Sequence, residues 1–348
     1  VELATGVTTS DLGTQILTAI NVDDIALKIM NDQDQKGEPE MPFEEKINLW
    51  SEKYANDEKI FTPVGVHCFG CEFQGNDPTK LSGLKECWKE KKGWADSDFE
   101  KPRTTEIWNF RGKKKLFKEG IIFIENVQMH DIGDKIEPKI NGKFSTKERQ
   151  WMQVDKIQTK DDSFYLDKDG MKDEMATFVY PLHFIDFETS MVAIPFYKGQ
   201  HPYEQIAFQF SHHIMYEDGK IEHKGEFIET NKGVFPNFNF VRALMNELSQ
   251  DNGTIFRFAA HENTVLNQVY AQLEEADSAL VSDKQELMSF ILSITNSKSE
   301  KRVGERDMVD MCQMVKDFFY DPRTKGSNSI KAVLPAILSR SAYIQEKY

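Results

Sequence analysis

The hydrophobic pattern is most distinctive at residues 178–188, FVYPLHFIDFE. Its apolar run, 178–185, lacks helical periodicity and predicts a buried central strand, because a strand covered on both faces has no reason to alternate. Asp186 and Glu188 follow at its end, on either side of Phe187. Side chains two positions apart on a strand point to the same face. We therefore predict that both carboxylates face one small volume, while Phe187 packs on the opposite side.

The rest of the C-terminal half alternates between strand-like and helix-like patterns. In chain order the sequence predicts strands at 205–216 and 224–229, a helix at 235–248, a strand at 254–260, a helix from His261 and a helix at 306–322. This order predicts an α/β fold (α+β overall), with a mixed sheet flanked by helices.

The N-terminal half has mainly helical patterns. Residues 22–30 and 42–54 have helical spacing, as do 144–157 and 166–178. We interpret the chain as an upstream remnant at 1–60, a cysteine-containing segment at 61–100, a helical connector at 101–177 and a C-terminal domain at 178–348. The opening VELATG, which lacks Met, suggests a fragment of a longer or processed protein.

Composition narrows the functional classes. A net charge of −14 argues against a protein that coats nucleic acid non-specifically, since that affinity comes from Lys and Arg neutralising phosphates. It does not exclude a nuclease, because carboxylates that ligate metals also count as negative until a cation binds. No apolar run approaches the ~20 residues of a membrane helix, so we expect no membrane partner. The cysteine content fits a reducing compartment, and we infer the cytoplasm.

The paired carboxylates suggest a cation site. Two acids forced together raise each other's pKa, and a divalent metal removes that conflict while gaining hard oxygen ligands. The alternative is that Asp186 and Glu188 simply end a strand and face water.

Three cysteines form a second candidate site. Cys68 and Cys71 are spaced so that both thiolates can reach one metal from a turn, and Cys87 or the adjacent His67 can add a third ligand. Reduced structural thiols are the alternative. Cys312 lies within a helical pattern and is predicted to be a core residue.

Three segments carry a resemblance to a known family: PLHFIDFET, IPFYKGQHPYEQIAFQFS and GSNSIKAVLPAI. They resemble an uncharacterised bacterial family whose core is similar to DnaQ-like (DEDD-type) 3′-5′ exonucleases of the ribonuclease H-like superfold. The resemblance covers roughly the C-terminal half. It implies that Glu262 is a third acid and that Asp310 matches a further one. For Glu262 a helix N-terminal acid favoured by the macrodipole remains an alternative, and for Asp310 an acid near a helix start.

The same resemblance bears on the cysteines and on the C-terminus. It likens the cysteine cluster to the iron-sulphur staple of RecB-like nucleases, so that zinc or an iron-sulphur cluster is expected in the full-length protein. It also places a final acid after the SNSIKAVLPAIL element. That acid is absent or lies beyond Tyr348, so we expect the domain to be truncated at its C-terminus.

The resulting hypothesis is a two-metal nuclease using Mg²⁺ or Mn²⁺. Asp186 would bridge both ions, Glu188 would hold the ion that activates water, and Glu262 and Asp310 would complete the ligand set. The expected partner is nucleic acid, single-stranded or at 3′ ends, with protein partners unknown. We predict that four basic residues contact phosphates, namely Lys113, Lys114, Lys115 and Lys331. The alternative is that they form a solvated surface. Aromatic residues near the acids could stack on bases, namely Phe187, Phe196, Tyr197 and Tyr203.

Two rival hypotheses remain open. One is a degenerate ribonuclease H-like module that binds nucleic acid or a protein partner without cutting. The other is a structural or interaction subunit whose acids merely face solvent.

Overall fold

The computed structural model describes residues 20–31, 41–60, 63–75, 80–133, 135–139, 143–197 and 199–347. The chain divides into two units, Val1–Ala95 and Asp96–Tyr348. In the described part of the chain, no helix is both long and apolar enough to cross a bilayer.

The first unit is helical, as the sequence predicted. Its helices are α1 (Asp23–Asn31), α2 (Phe43–Ala55) and α3 (Gly83–Lys92), with short 3-10 turns at Val66–Gly70 and Glu72–Gln74. The Ser82 hydroxyl caps α3 by accepting a hydrogen bond from the Lys85 amide at 3.3 Å. Gly93 ends α3 at φ 67°, in the left-handed region that glycine tolerates best.

The second unit contains the remaining helices and a five-stranded sheet. Its helices are α4 (Asp96–Phe99), α5 (Lys113–Lys118), α6 (Met129–Ile132), α7 (Thr146–Gln158), α8 (Lys168–Met175), α9 (Asn237–Leu248), α10 (His261–Glu275), α11 (Lys284–Ile294), α12 (Met311–Phe318), α13 (Ile330–Arg340) and α14 (Ala342–Lys347). The sheet consists of β1 (Leu182–Met191), β2 (Gln205–Met215), β3 (Ile221–Ile228), β4 (Ile255–Arg257) and β5 (Val309–Asp310). Short strand pairs join Tyr165–Leu166 to Phe319–Tyr320 and Asn296–Ser297 to Arg302–Val303.

The strand order in the sheet is β3-β2-β1-β4-β5. β2 is antiparallel to both of its neighbours, whereas β1, β4 and β5 are parallel to one another. With α9 between β3 and β4 and α10 after β4, this is the mixed sheet flanked by helices that the element order predicted. The α/β fold class is therefore confirmed.

One face of β1 provides the core of the second unit. Ile185 and Phe187 are buried there with Phe210 of β2, against helices α9, α10 and α11. The Phe240 ring of α9 meets Phe187 and Phe210 edge-on, with ring centroids 4.8 and 5.4 Å apart. Edge-to-face aromatic pairs add about 0.5–1.5 kcal/mol each beyond the burial of their area. This packing fixes which residues of β1 can face outward.

The predicted helix over 306–322 is wrong at both ends. Val309 and Asp310 pair with Phe256 and Arg257 of β4, so this stretch begins as the fifth strand. The helix starts only at Met311, where the Asp310 carboxylate caps it by accepting from the Gln313 amide at 3.2 Å. Phe319–Tyr320 then leaves the helix to pair with Tyr165–Leu166. Pairing with distant strands overrides the local helical pattern.

A buried histidine pair connects β1 and β2. His183 Nδ1 and His212 Nε2 are 2.9 Å apart, and both side chains are buried. The outer ring nitrogens contact Asp251 Oδ1 at 2.8 Å and Glu247 Oε2 at 3.2 Å. Arg306 lies 3.4 Å from the same Asp251.

Burial and the surrounding charges together determine the protonation of this pair. Burial is the main cause that lowers the pKa of both His183 and His212 below the ordinary 6.5. Arg306 and Lys224 add to the lowering at His183, whereas the Asp251 carboxylate opposes it. Both rings are therefore harder to protonate in the folded chain than in the unfolded chain.

We predict that acidification destabilises the second unit through this pair. The unfolded chain takes up protons on these histidines near pH 6.5, whereas the folded chain resists, so their stabilising contribution is present above pH 6.5 and lost below it. Urea unfolding at pH 7.5, 6.5 and 5.5 measures the loss. His212→Gln should be less stable at pH 7.5 but should lose less stability on acidification. The exposed His213, changed to Gln, is the control and should retain the wild-type slope. An unaltered slope in His212→Gln would contradict this account.

Candidate functional site

The central strand places Asp186 and Glu188 on the face opposite the core. Burial along β1 alternates, with Ile185 and Phe187 buried and both acids exposed. Across β2, Asp186 lies opposite Ser211 and Glu188 opposite Gln209, and a bulge follows Glu188. The same-face prediction is confirmed. Among the described residues neither carboxylate has a hydrogen-bond or ion-pair partner, so both are able to rotate toward a ligand.

Glu262 enters the same region from α10. It is the second residue of that helix and is 4% exposed, and its Oε2 atom has no hydrogen-bond partner among the described residues. Burial raises the pKa of Glu262 to about 7, and the charges of Asp186 and Asp310 add to the rise, while Arg257 opposes it. The acids that raise the pKa of Glu262 therefore lie on β1 and β5.

Asp310, at the end of β5, is held by three hydrogen bonds. Its Oδ1 accepts from the Ala259 amide at 3.0 Å and the Gln313 amide at 3.2 Å, and its Oδ2 accepts from Arg257 Nη1 at 3.2 Å. The alternative stated from the sequence, an acid at a helix start, therefore describes part of its role. To ligate a metal as well, Asp310 would have to use its remaining lone pairs.

Two residues near the acids were not predicted from the sequence. Arg257 is buried at the end of β4 and donates to the Ala259 carbonyl as well as to Asp310. His261 is the first residue of α10, and its Nε2 lies 3.5 Å from the Thr189 hydroxyl of β1. The sequence signal for Arg257 was its position inside the apolar stretch TIFRFAA, because a buried charge needs a partner.

The residues present partly fit a divalent cation. The carboxylates are hard oxygen donors, and the unpartnered Glu262 Oε2 is a buried acceptor of the kind that a cation would satisfy. However, the described residues contain no group of three or more His, Cys, Asp or Glu side chains already placed to hold a metal. A cation would therefore require the exposed Asp186 and Glu188 to turn toward Glu262.

The cysteine segment lies in the first unit. Cys68 is in the Val66–Gly70 turn, where its Sγ accepts from the Gly65 amide at 3.3 Å, Cys71 follows that turn, and Cys87 is in α3. All three are free thiols. They belong to no ready-made three-ligand group in the described part of the chain, so zinc or an iron-sulphur cluster stays a prediction. Cys312 is buried in α12, as expected.

The lysines predicted to contact nucleic acid differ in how exposed their side chains are. Lys114 and Lys115 of α5 and Lys331 of α13 are exposed, whereas Lys113 donates to the Thr105 carbonyl at 2.7 Å. Burial lowers the pKa of Lys113. Lys113 is therefore committed to a backbone contact within the unit, and the other three stay predictions.

The aromatic candidates also divide by exposure. Phe187 is a core residue and cannot stack on a base, and Tyr197 packs edge-on against Phe235 with ring centroids 5.4 Å apart. Phe196 and Tyr203, in the loop between β1 and β2, are exposed. Only these two of the four remain candidates for stacking.

Fold and site together define an α/β domain with a five-stranded mixed sheet, two acids on its central strand, and Glu262 and Asp310 on neighbouring elements. A family model described as a domain of unknown function (DUF2779) matches residues 183–329, which is less than half of the chain. The matched region begins in β1 and ends just before α13, and it includes all four candidate acids. No curated protein and no solved structure matches the chain.

We predict that Glu262→Gln stabilises the protein at alkaline pH. Folded Glu262 keeps its proton up to about pH 7, whereas the unfolded chain loses it near 4.5, so its contribution to stability declines as pH rises between these values. This rise in the pKa of Glu262 corresponds to about 3 kcal/mol in the free energy of unfolding. In metal-free buffer at pH 8 the variant should therefore exceed wild type by up to about 3 kcal/mol, with little difference at pH 5.

Glu275→Gln, at the exposed end of the same helix, is the matched control and should change stability at neither pH. Chemical denaturation of the three proteins provides the comparison. A Glu262→Gln effect that is equal at pH 5 and pH 8 would show that no charge is being relieved.

Proposed function

We propose that this chain is a metal-dependent nuclease that hydrolyses phosphodiester bonds of DNA or RNA, acting as a 3′-5′ exonuclease. The observation that supports this most is the burial of Glu262, whose Oε2 has no hydrogen-bond partner in the described part of the chain and whose pKa is raised by burial and by the charges of Asp186 and Asp310. A buried acceptor without a partner costs about 1–3 kcal/mol. A cation bound at this oxygen would remove that cost.

The acids would surround the cation site from different sides. Asp186 and Glu188 would bind Mg²⁺ or Mn²⁺ from the exposed face of β1, and Glu262 would bind from the buried side. Arg257 holds Asp310 in place and limits the repulsion among the acids. Bound cations would stabilise charge on the phosphate and lower the pKa of the attacking water.

The reaction would be hydrolysis of the terminal phosphodiester. Water adds to phosphorus, the bond from phosphorus to the 3′ oxygen breaks, and the leaving oxygen takes a proton. Exposed Phe196 and Tyr203 in the loop that follows β1 would stack on unpaired bases. Single-stranded ends are therefore the proposed substrate.

A specific observation favours a second candidate function. Both oxygens of Asp310 already accept hydrogen bonds within the protein, and the described residues hold no preassembled metal group. These features suit a ribonuclease H-like module that binds nucleic acid or a protein partner without cutting.

We predict that Asp186→Asn abolishes cleavage and leaves the fold intact. Removing one ligand charge should lower the rate by at least about 100-fold, because electrostatic stabilisation of the transition state carries much of the catalysis. Labelled single-stranded DNA and RNA, with Mg²⁺ or Mn²⁺, provide the assay. Asp218→Asn, in the exposed turn between β2 and β3, is the matched control and should cut at the wild-type rate.

Two outcomes would contradict the proposal. If Asp186→Asn cuts as fast as wild type, the carboxylate site is not the source of activity. If wild type binds a labelled strand but cuts neither substrate with either metal, the non-catalytic module is the better account.

A further inference from the structure

Two histidines lie next to each other on the exposed face of the sheet. His213 of β2 is directly opposite His223 of β3, and both side chains are exposed. His213 Nε2 and His223 Nδ1 are 3.4 Å apart. This separation is long for a hydrogen bond, whose heavy atoms lie about 2.7–3.2 Å apart. The two nitrogens are therefore close together without a strong bond between them.

A bulge in β3 brings a carboxylate to the same face as the histidines. Residues three apart on a regular strand point to opposite faces, so His223 and Glu226 would be expected to diverge. However, the register of β3 against β2 shifts between His212 and His213, which leaves Lys224 as an extra residue. A bulge of this kind turns the neighbouring side chains. As a result, His223 Nε2 contacts Glu226 Oε2.

The contact with Glu226 determines which nitrogen of His223 carries the proton. An ionised carboxylate only accepts hydrogen bonds, so His223 donates from Nε2. Nδ1 of the same neutral ring then keeps a lone pair, and it is this atom that lies closest to His213. Histidine ligands of metals typically donate their other ring N–H to a carboxylate in this way. Glu226 thus orients His223 to bind a metal through Nδ1.

The separation of the two nitrogens fits tetrahedral zinc. Two zinc-nitrogen bonds of about 2.0–2.1 Å at a tetrahedral angle place their nitrogens about 3.4 Å apart. Right angles between neighbouring ligands, as in square-planar or octahedral sites, would bring the nitrogens to about 2.8–3.0 Å at similar bond lengths. The observed 3.4 Å is the tetrahedral spacing. Because the described residues include no group of three such ligands in place, water would complete the coordination.

We propose that His213 and His223 form a zinc-binding site, with Glu226 as the residue that positions His223. The ligands are His213 Nε2 and His223 Nδ1. The site lies beside the carboxylate site, because Ser211, two residues before His213, pairs with Asp186 of β1. It uses none of the four candidate acids. The proposal therefore goes beyond the proposed nuclease activity and does not depend on it.

The test observes the histidine rings directly, because zinc also binds thiols and carboxylates. Protein isotopically labelled at the histidine nitrogens is titrated with zinc chloride at pH 7.5, and NMR follows the ring nitrogen resonances. In wild type the resonances of His213 and His223 should shift with one common midpoint. In His223→Gln the His213 resonance should respond only at a zinc concentration at least about tenfold higher, because a second ligand on the same chain is lost.

Glu226→Ala tests the positioning role. Loss of a carboxylate that orients a ligating histidine typically weakens metal binding 10–100-fold, so the zinc midpoint should rise at least about tenfold. Without zinc, the His223 resonances should no longer report a proton fixed on Nε2. Glu217→Ala, at an exposed glutamate in the turn between β2 and β3, is the matched control and should change neither result. An unchanged zinc midpoint in Glu226→Ala would overturn the role of Glu226.

Two further variants separate this site from other zinc ligands. His130→Gln, at an exposed histidine of α6, and Asp186→Asn, at the carboxylate site, should both keep the wild-type zinc midpoint. The proposal is overturned if neither His213 nor His223 responds to zinc, or if His213 responds in His223→Gln at the wild-type midpoint. It is also overturned if Asp186→Asn weakens the response as much as His223→Gln does.

Discussion

The burial of one face of β1 is the constraint on which the rest of the site depends. Ile185 and Phe187 must pack against α9 and its neighbours, because these contacts form the core of the second unit. A strand has a side-chain period of two, so Asp186 and Glu188 can only face the other way. A shift of one residue in the strand would bury both acids and expose both core side chains, which makes this register strongly specified.

The parallel strands beside β1 extend this constraint to the other acids. Phe184 of β1 pairs with Phe256 of β4, and Arg257 pairs with Asp310 of β5. The carboxyl ends of β4 and β5 therefore lie level with the part of β1 that carries Asp186. Glu262 follows β4 by one tight turn and is buried at the start of α10. The sheet thus brings toward one edge acids from segments spread over more than a hundred residues of the chain.

Bringing these acids together causes electrostatic repulsion, which the protein relieves only in part. Arg257 and two backbone amides satisfy Asp310, but one oxygen of Glu262 has no partner among the residues that the structure describes, and the pKa of Glu262 is raised. Asp186 and Glu188 are exposed to solvent instead. Under the proposed function, a bound cation would complete this set of one satisfied acid, one buried unsatisfied acid and two exposed acids.

The sequence predicted features that depend on local patterns. The alternation around Phe187, the order of strands and helices, the start of α10 at His261 and the burial of Cys312 could be predicted from periodicity. The two-residue strand β5 could not, because its pairing with β4 is set by tertiary register rather than by local propensity. The contact between Arg257 and Asp310 and the burial of Glu262 could not be predicted for the same reason. Each of them joins segments that are distant in the sequence.

The central claim is that Asp186, Glu188 and Glu262 together hold a divalent cation. Anomalous diffraction from crystals equilibrated with Mn²⁺ tests it most directly. The account predicts a manganese peak between the Asp186 and Glu262 carboxylates, at roughly 2.0–2.6 Å from their oxygens as is typical of hard cations. A saturating Mn²⁺ concentration that leaves these carboxylates without a peak, or a peak only at the cysteine segment, would contradict it.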